Sequence, residues 1–193
     1  MGRALPRPGT GARRLIVQLL GALSARLDGI SGSIGRAAAW LAIPIIAIVI
    51  VDVVTRRFLT IGSVTLQELE WHLHAVLFLF CAAYAYIDDA HVRVDIFRAR
   101  LGAIPRAGIE LSGAALFLTP YSIVMVYLGT QFVVDSYLLN EVSDAPGGLP
   151  YRYVIKSALP IGFMLLALQG LSTVAKQILI IRGEEEKGGD DVR

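Results

Sequence analysis

Four stretches of this chain are long enough and apolar enough to cross a lipid bilayer. A membrane-spanning helix needs about 20 mostly apolar residues, and residues 37–55, 66–87, 107–139 and 154–181 each meet that requirement. The connections between them are too short to hold a soluble domain, and 55% of the chain is hydrophobic. We therefore predict an all-α membrane protein in which residues 1–193 form a single membrane domain with four transmembrane helices.

Two further segments have the pattern of amphipathic helices that lie in the membrane interface. In residues 13–29 the apolar side chains share one face at 100° per residue, and arginines lie on the other. Residues 93–103 repeat this pattern, and Pro105 is expected to end that helix. We also predict a loose link from Gly29 into the first span, because glycines weaken helices, and a disordered charged tail at 182–193.

The distribution of basic residues predicts the orientation in the membrane. Six arginines precede the first span, four lie between the second and third spans, and three basic residues follow the fourth. The opposite side has only Arg56, Arg57 and Arg152. Because cytoplasmic loops collect Lys and Arg, both termini should face the cytoplasm. A signal peptide cleaved near Ala25 is the alternative for the N-terminal segment, although the apolar stripe continues past that point.

The third span is longer than the bilayer requires. Residues 107–139 would form a helix of roughly 50 Å at about 1.5 Å per residue, against a hydrocarbon core of about 30 Å. We expect it to tilt, to kink near Pro120, or to project beyond the membrane. Gln169 lies at the centre of the fourth span, where a polar residue usually bonds to another helix.

Asp52 is the one acidic residue well inside the first span. An ionisable residue at such a position suggests function, and a small self-dimerising four-span cation or drug antiporter would use an acid there. The other interpretation is structural, because Arg56 follows Asp52 by one helical turn, the spacing at which opposite charges meet. We favour the ion pair and keep the antiporter as the alternative function.

Two acid and histidine pairs occur at the start of the second span. Glu68 precedes His72 by four residues and Glu70 precedes His74 by four, so we predict two ion pairs on nearly opposite faces. Metal ligands must converge, and a haem anchor needs two facing histidines, so neither site is predicted. We expect no catalytic residue, no metal, no cofactor and no enzymatic activity. The lone cysteine is interpreted as a packing residue in the second span.

Several short motifs lie between the spans in a fixed order. The ten residues that we take as the candidate partner interface are Arg57 after the first span, Glu68 and Trp71 in "ELEW", His91, Arg93 and Asp95 in "HVRVD", and Gly148, Leu149, Pro150 and Arg152 in "GLPYR". Arg57 is followed by an aromatic residue, Phe58. This order resembles the small membrane subunit, the DctQ-like small permease, of tripartite ATP-independent periplasmic (TRAP) transporters. Thr65 and Cys81 depart from the family pattern, which often has Trp and Gly there.

The resemblance implies a protein of the bacterial inner membrane that works with a large transport subunit. In that family a periplasmic solute-binding protein delivers the substrate and a sodium gradient drives its import. Organic acids are the expected substrates. The segments "LQELEW" and "DDAHVRVD" resemble those of the family branch associated with 2-oxo acids. The small subunit is expected to brace the large one while interfacial helices hold its depth in the lipid. Nucleic acid is not an expected partner.

Overall fold

The computed structural model describes residues 10–87 and 101–190, with side chains described for 15–87 and 101–183. The helices are α1 (Thr10–Ala39), α2 (Ala42–Phe58), α3 (Val64–Ile87), α4 (Ala103–Ser112), a π-helical segment (Gly113–Leu118), α5 (Thr119–Leu138), α6 (Arg152–Lys156) and α7 (Ala158–Asp190). The described part of the chain contains no strand and has four helical stretches long and apolar enough to cross a membrane. The predicted fold class is confirmed.

The helices pack through small residues and leave their large apolar side chains outside. The largest fully buried side chains are Gln169, Ser31, Ser122, Ser136 and Ser172, and most of the buried apolar residues are alanines. Large residues such as Ile46, Phe78 and Leu116 are more than half exposed. This is the arrangement expected in lipid, where apolar side chains face the hydrocarbon and small residues let helix backbones approach closely.

α7 is the central helix of the bundle, since it contacts α1, α3, α4 and α5. α1 also packs along α3, whereas the main contact of α2 is α3 alone. We call the end formed by residues 59–63 and 139–151 the hairpin end.

The predicted loose link after Gly29 is wrong, because α1 continues without a break to Ala39. Two of the glycines that should weaken this helix, Gly32 and Gly35, instead lie at its contact with α3. A Cβ at Gly35 would collide with the Tyr84 side chain and fall 3.4 Å from the Phe80 carbonyl oxygen. The Cys81 thiol also lies 3.5 Å from the Gly35 carbonyl oxygen. Packing against α3 thus offsets the low helix propensity of glycine.

Asp28, on the polar face of α1, packs against α7, whereas the sequence interpretation directed that whole face to lipid headgroups; Gln18 and Arg36 of the same face are exposed. Asp28 accepts a 2.7 Å hydrogen bond from the Ser172 hydroxyl and forms a 2.5 Å ion pair with Lys176. Gln169 donates to the Leu27 carbonyl at 3.3 Å, as expected for a polar residue within a span. The apolar stripe, including Leu19 at 60% exposure, faces outward. Polar groups are drawn inward because hydrocarbon offers them no partner.

The first span is built from two helices rather than one. α1 ends at Ala39, a turn covers Trp40 and Leu41, and α2 begins at Ala42, so Pro44 lies in the first turn of α2. Proline is tolerated there because the first N–H groups of a helix have no intrahelical acceptor. The boundary between the two helices therefore lies just before Pro44.

Pro105 begins a helix instead of ending one, which corrects the sequence prediction. Residues 101–102 are not helical, and α4 starts at Ala103 with Pro105 in its first turn. Residues 93–100 of the predicted interfacial helix lie outside the described residues. Proline suits the first turn because it needs no N–H acceptor and its fixed φ matches the helix.

The long third span contains a π-helical segment directly before Pro120. The Thr119 N–H bonds to the Ala114 carbonyl oxygen, an i to i−5 bond in place of the α-helical one. Pro120 lacks an N–H, and its ring would collide with the Leu116 carbonyl in regular α geometry. A wider turn relieves that collision.

The predicted disordered tail is helical over most of its length. α7 continues to Asp190, and residues 184–187 are good helix formers.

Two glycines of α1 provide a matched test of this packing. Gly35→Ala places a methyl group against Tyr84 and should destabilise the protein by roughly 1–3 kcal/mol, the range for overpacking. Gly21→Ala meets no atom within 4 Å and should stabilise α1 by up to about 1 kcal/mol. Reversible unfolding in detergent measures both. Equal effects of the two substitutions would contradict the close approach of α1 to α3.

Candidate functional site

A buried carboxylate at the hairpin end joins three parts of the chain. Glu68, in the second turn of α3, is 6% exposed. Its carboxylate accepts hydrogen bonds from the Ser143 hydroxyl, from the Leu149 N–H at 2.5 Å and from the Arg152 guanidinium at 3.1 Å. We call Glu68, Ser143, Leu149 and Arg152 the Glu68 clamp. It ties the loop of residues 139–151 and the start of α6 to the second span.

The backbone of this loop is shaped to deliver those donors. Asn140, Gly147 and Tyr151 have positive φ values of 47°, 79° and 59°, so the chain turns sharply at each. Gly148 must lack a side chain, because a Cβ there would collide with Ser143 and lie 2.8 Å from a Glu68 carboxylate oxygen. Glycine thereby lets the Leu149 N–H reach the carboxylate.

Two contacts extend the clamp along α3. The Thr65 hydroxyl donates a 2.6 Å hydrogen bond to the Gly147 carbonyl oxygen. The Arg152 guanidinium carbon lies 5.8 Å from the centre of the Trp71 ring, within the range of a cation–π contact. Thr65, a departure from the family pattern, thus also holds this loop.

A second ion pair lies beside the clamp. The Lys156 ammonium bonds to the Glu141 carboxylate and lies 3.8 Å from the centre of the Phe132 ring. The Arg152 N–H also bonds to the Glu141 carbonyl oxygen at 3.2 Å. The hydrogen bond from Lys156 is the main reason that the pKa of Glu141 lies below its ordinary value of 4.5. Ser143 and Glu141 are absent from the sequence prediction, because nothing local marks a serine or glutamate in a turn-rich loop as a partner.

The structure brings together five of the ten residues predicted for the partner interface: Glu68, Trp71, Gly148, Leu149 and Arg152. Pro150 is exposed in the same loop. Arg57 lies apart from them, on a surface cavity of about 450 Å³ that Asp52 and Glu70 also line. The other three, His91, Arg93 and Asp95, lie outside the described residues.

The predicted Glu68–His72 ion pair is wrong. His72 Nδ1 bonds to the Glu68 backbone carbonyl oxygen, while the Glu68 carboxylate is occupied by the clamp donors. The described residues contain no Glu70–His74 ion pair either. Helical spacing identified residues that could meet, but Arg152 and Ser143 approach the carboxylate from a distant segment and give it stronger, charge-assisted bonds.

Asp52 forms the predicted ion pair with Arg56, one turn later in α2. The aspartate is 2% exposed, and its second carboxylate oxygen has no hydrogen-bond partner among the described residues. The described residues include no cluster of three or more His, Cys, Asp or Glu side chains that could hold a metal ion. The clamp is a hydrogen-bond network that fixes a loop in place, although the buried Nε of Arg152 has no hydrogen-bond partner among the described residues.

Four membrane-length helices joined by internal polar contacts define a small multi-span membrane protein. The family model of the DctQ component of tripartite ATP-independent periplasmic transporters matches residues 45–179, more than half of the chain, and the chain belongs to this family. It is therefore a membrane component of a transporter complex, and the family is one of transporter components rather than enzymes. Comparisons with curated proteins and with solved structures gave no match.

Two glutamates that are neighbours in α3 test the clamp. Glu68→Gln removes the charge that Arg152 faces and should destabilise the protein by roughly 1.5–3 kcal/mol, the value of a hydrogen bond to a charged group. Glu70→Gln should change the unfolding free energy by less than about 0.5 kcal/mol, as surface substitutions usually do. Unfolding in detergent gives both numbers. A cost at Glu70 as large as that at Glu68 would refute the clamp.

The lowered pKa of Glu141 predicts a dependence on pH. A carboxyl group whose pKa is lower in the folded state stabilises the protein above its unfolded value, here 4.5, and this contribution is lost as the pH falls through the folded value. The wild type should therefore be more stable than Glu141→Gln at pH 7, with the difference shrinking below pH 4.5. Unfolding measured at several pH values tests this. A difference independent of pH would contradict it.

Proposed function

We propose that this chain is the small integral-membrane subunit of a sodium-driven symporter of the TRAP type that imports organic acids. In this proposal it braces the large transport subunit, while a periplasmic binding protein supplies the substrate. Family membership supports the complex. The resemblance of "LQELEW" and "DDAHVRVD" to one branch supports 2-oxo acids as substrates.

The bracing role is supported by two sets of polar contacts, which hold the helices of the bundle together at two different positions along their length. The Glu68 clamp closes the hairpin end. Asp28, Ser172 and Lys176 join α1 to α7 nearer the other end. A subunit that moves with its substrate needs polar sites free for that substrate, whereas a brace needs them engaged in contacts between its own helices.

The exposed apolar stripe of α1 supports an anchoring role for this helix. Leu15, Leu19 and Leu23 are about half exposed or more and follow one another at the spacing of a single face. A helix with such a stripe resists displacement along the membrane normal, because its apolar face fits only one depth. We assign the same role to the interfacial segment 93–103, and to His91, Arg93 and Asp95 a contact with the large subunit.

We place the protein in the bacterial inner membrane with both termini in the cytoplasm. The excess of basic residues in the termini and in the loop after the second span supports this orientation. The hairpin end, with Glu68 and Arg152, would then face the periplasm, the side from which a binding protein approaches. Interfacial segments would contact anionic lipid through their arginines.

Reconstitution into liposomes tests whether transport requires the large subunit and the binding protein. The chain alone should give no solute flux, whereas the complex with the large subunit and the binding protein should take up a labelled 2-oxo acid when sodium is higher outside. Asp52→Asn should leave that uptake unchanged, because Asp52 is engaged by Arg56. Uptake by the chain alone that disappears in Asp52→Asn would instead establish the antiporter.

A further inference from the structure

The outward face of α5 carries a row of polar side chains inside a membrane-spanning helix. Tyr127, Gln131 and Asp135 follow one another at intervals of four residues, so they share one face of the helix. All three are exposed, Tyr127 by 62%. The opposite face of α5, with Ser122 and Gly129, is buried in the bundle. The row is therefore not used to pack this chain.

The contacts of α5 with α7 place Gly129 beside the first turn of α7 and Tyr127 further into the span. A Cβ at Gly129 would lie 3.2 Å from the Pro160 ring, so residues 127–131 lie beside the first turns of α7. Tyr127 lies about 16 Å from the end of α5 at about 1.5 Å per residue. The span is longer than a hydrocarbon core of about 30 Å, so Tyr127 is simply the member of the row that lies furthest into the span. Asp135 lies closest to the hairpin end, and Gln131 adjoins Phe132, whose ring contacts Lys156 near that end.

Hydrocarbon is a poor environment for these groups. Tyrosine normally lies at the membrane surface, where its hydroxyl reaches water, and a glutamine amide in lipid keeps unsatisfied donors and acceptors. The described residues supply no hydrogen bond to the side chains of Tyr127 or Gln131. Polar side chains in spans usually bond to a neighbouring helix. A protein partner on this face would satisfy these groups, above all Tyr127, which lies furthest from the hairpin end.

We propose that this face of α5 binds a transmembrane helix of the large subunit, an inference that rests on the proposed function. The partner helix would carry hydrogen-bonding residues opposite Tyr127 and Gln131 and a basic residue opposite Asp135. A second copy of this chain fits less well. Two copies that pair symmetrically through this face would bring both Asp135 carboxylates to the same depth near the axis, where like charges repel.

Photo-crosslinking in native membranes tests the assignment. The chain is produced with its large subunit and binding protein, and p-benzoylphenylalanine replaces Tyr127 or, as a control on another outward face, Ile50 of α2. Illumination should join position 127 to the large subunit and position 50 to it far less. An adduct of two copies of this chain, no protein adduct at 127, or equal yields at both positions would overturn the proposal.

Two exposed aspartates give a second measurement that separates this proposal from the proposed function. Asp135→Lys should reduce the large subunit that co-purifies with the tagged chain about tenfold, the change produced by about 1.4 kcal/mol of binding free energy. Asp144→Lys, in the neighbouring loop, should leave it unchanged. If the wild type retains no large subunit, the proposed function fails. If it does and both variants behave alike, only the assignment of this face fails.

Discussion

The scarcity of hydrogen-bond partners in hydrocarbon is the constraint on which this structure depends. Every polar side chain in a span must find a partner inside the protein, in another subunit or at the membrane surface. Glu68 finds Arg152 and Asp28 finds Lys176, each in a helix distant along the sequence. These contacts, together with close approaches at glycine, determine which helices are neighbours. Apolar side chains contribute less to that choice, because lipid accommodates them equally well.

The same constraint connects the fold to the transporter family. The polar groups between α1 and α7, and those at the hairpin end, are engaged in contacts that hold the chain in one arrangement. A component held in this way suits the role of a stationary neighbour to a moving subunit. The row on α5 is different, since its polar groups face away from the bundle. An incomplete set of partners of this kind is expected of a protein that functions in a complex.

Prediction from the sequence succeeded for features that depend on a single helix. The four spans and the Asp52–Arg56 pair depend on length, hydropathy and one helical turn, and the structure contains all of them. It failed where a distant segment competes for the same group. His72 has the right spacing from Glu68, but Arg152 takes the carboxylate. Gly35 has low helix propensity, but contact with Tyr84 keeps it helical.

The sequence by itself determined the class of protein and the number of spans, because the energy of placing apolar helices in lipid is local to each segment. The motif "GLPYR" and the hairpin glutamate were also visible in the sequence, but their purpose was not. Only the tertiary structure decided that Gly148 makes room for a hydrogen bond from Leu149 to Glu68. Such a contact requires a loop of defined shape and two helices in register, and neither condition is encoded in the residues of one segment.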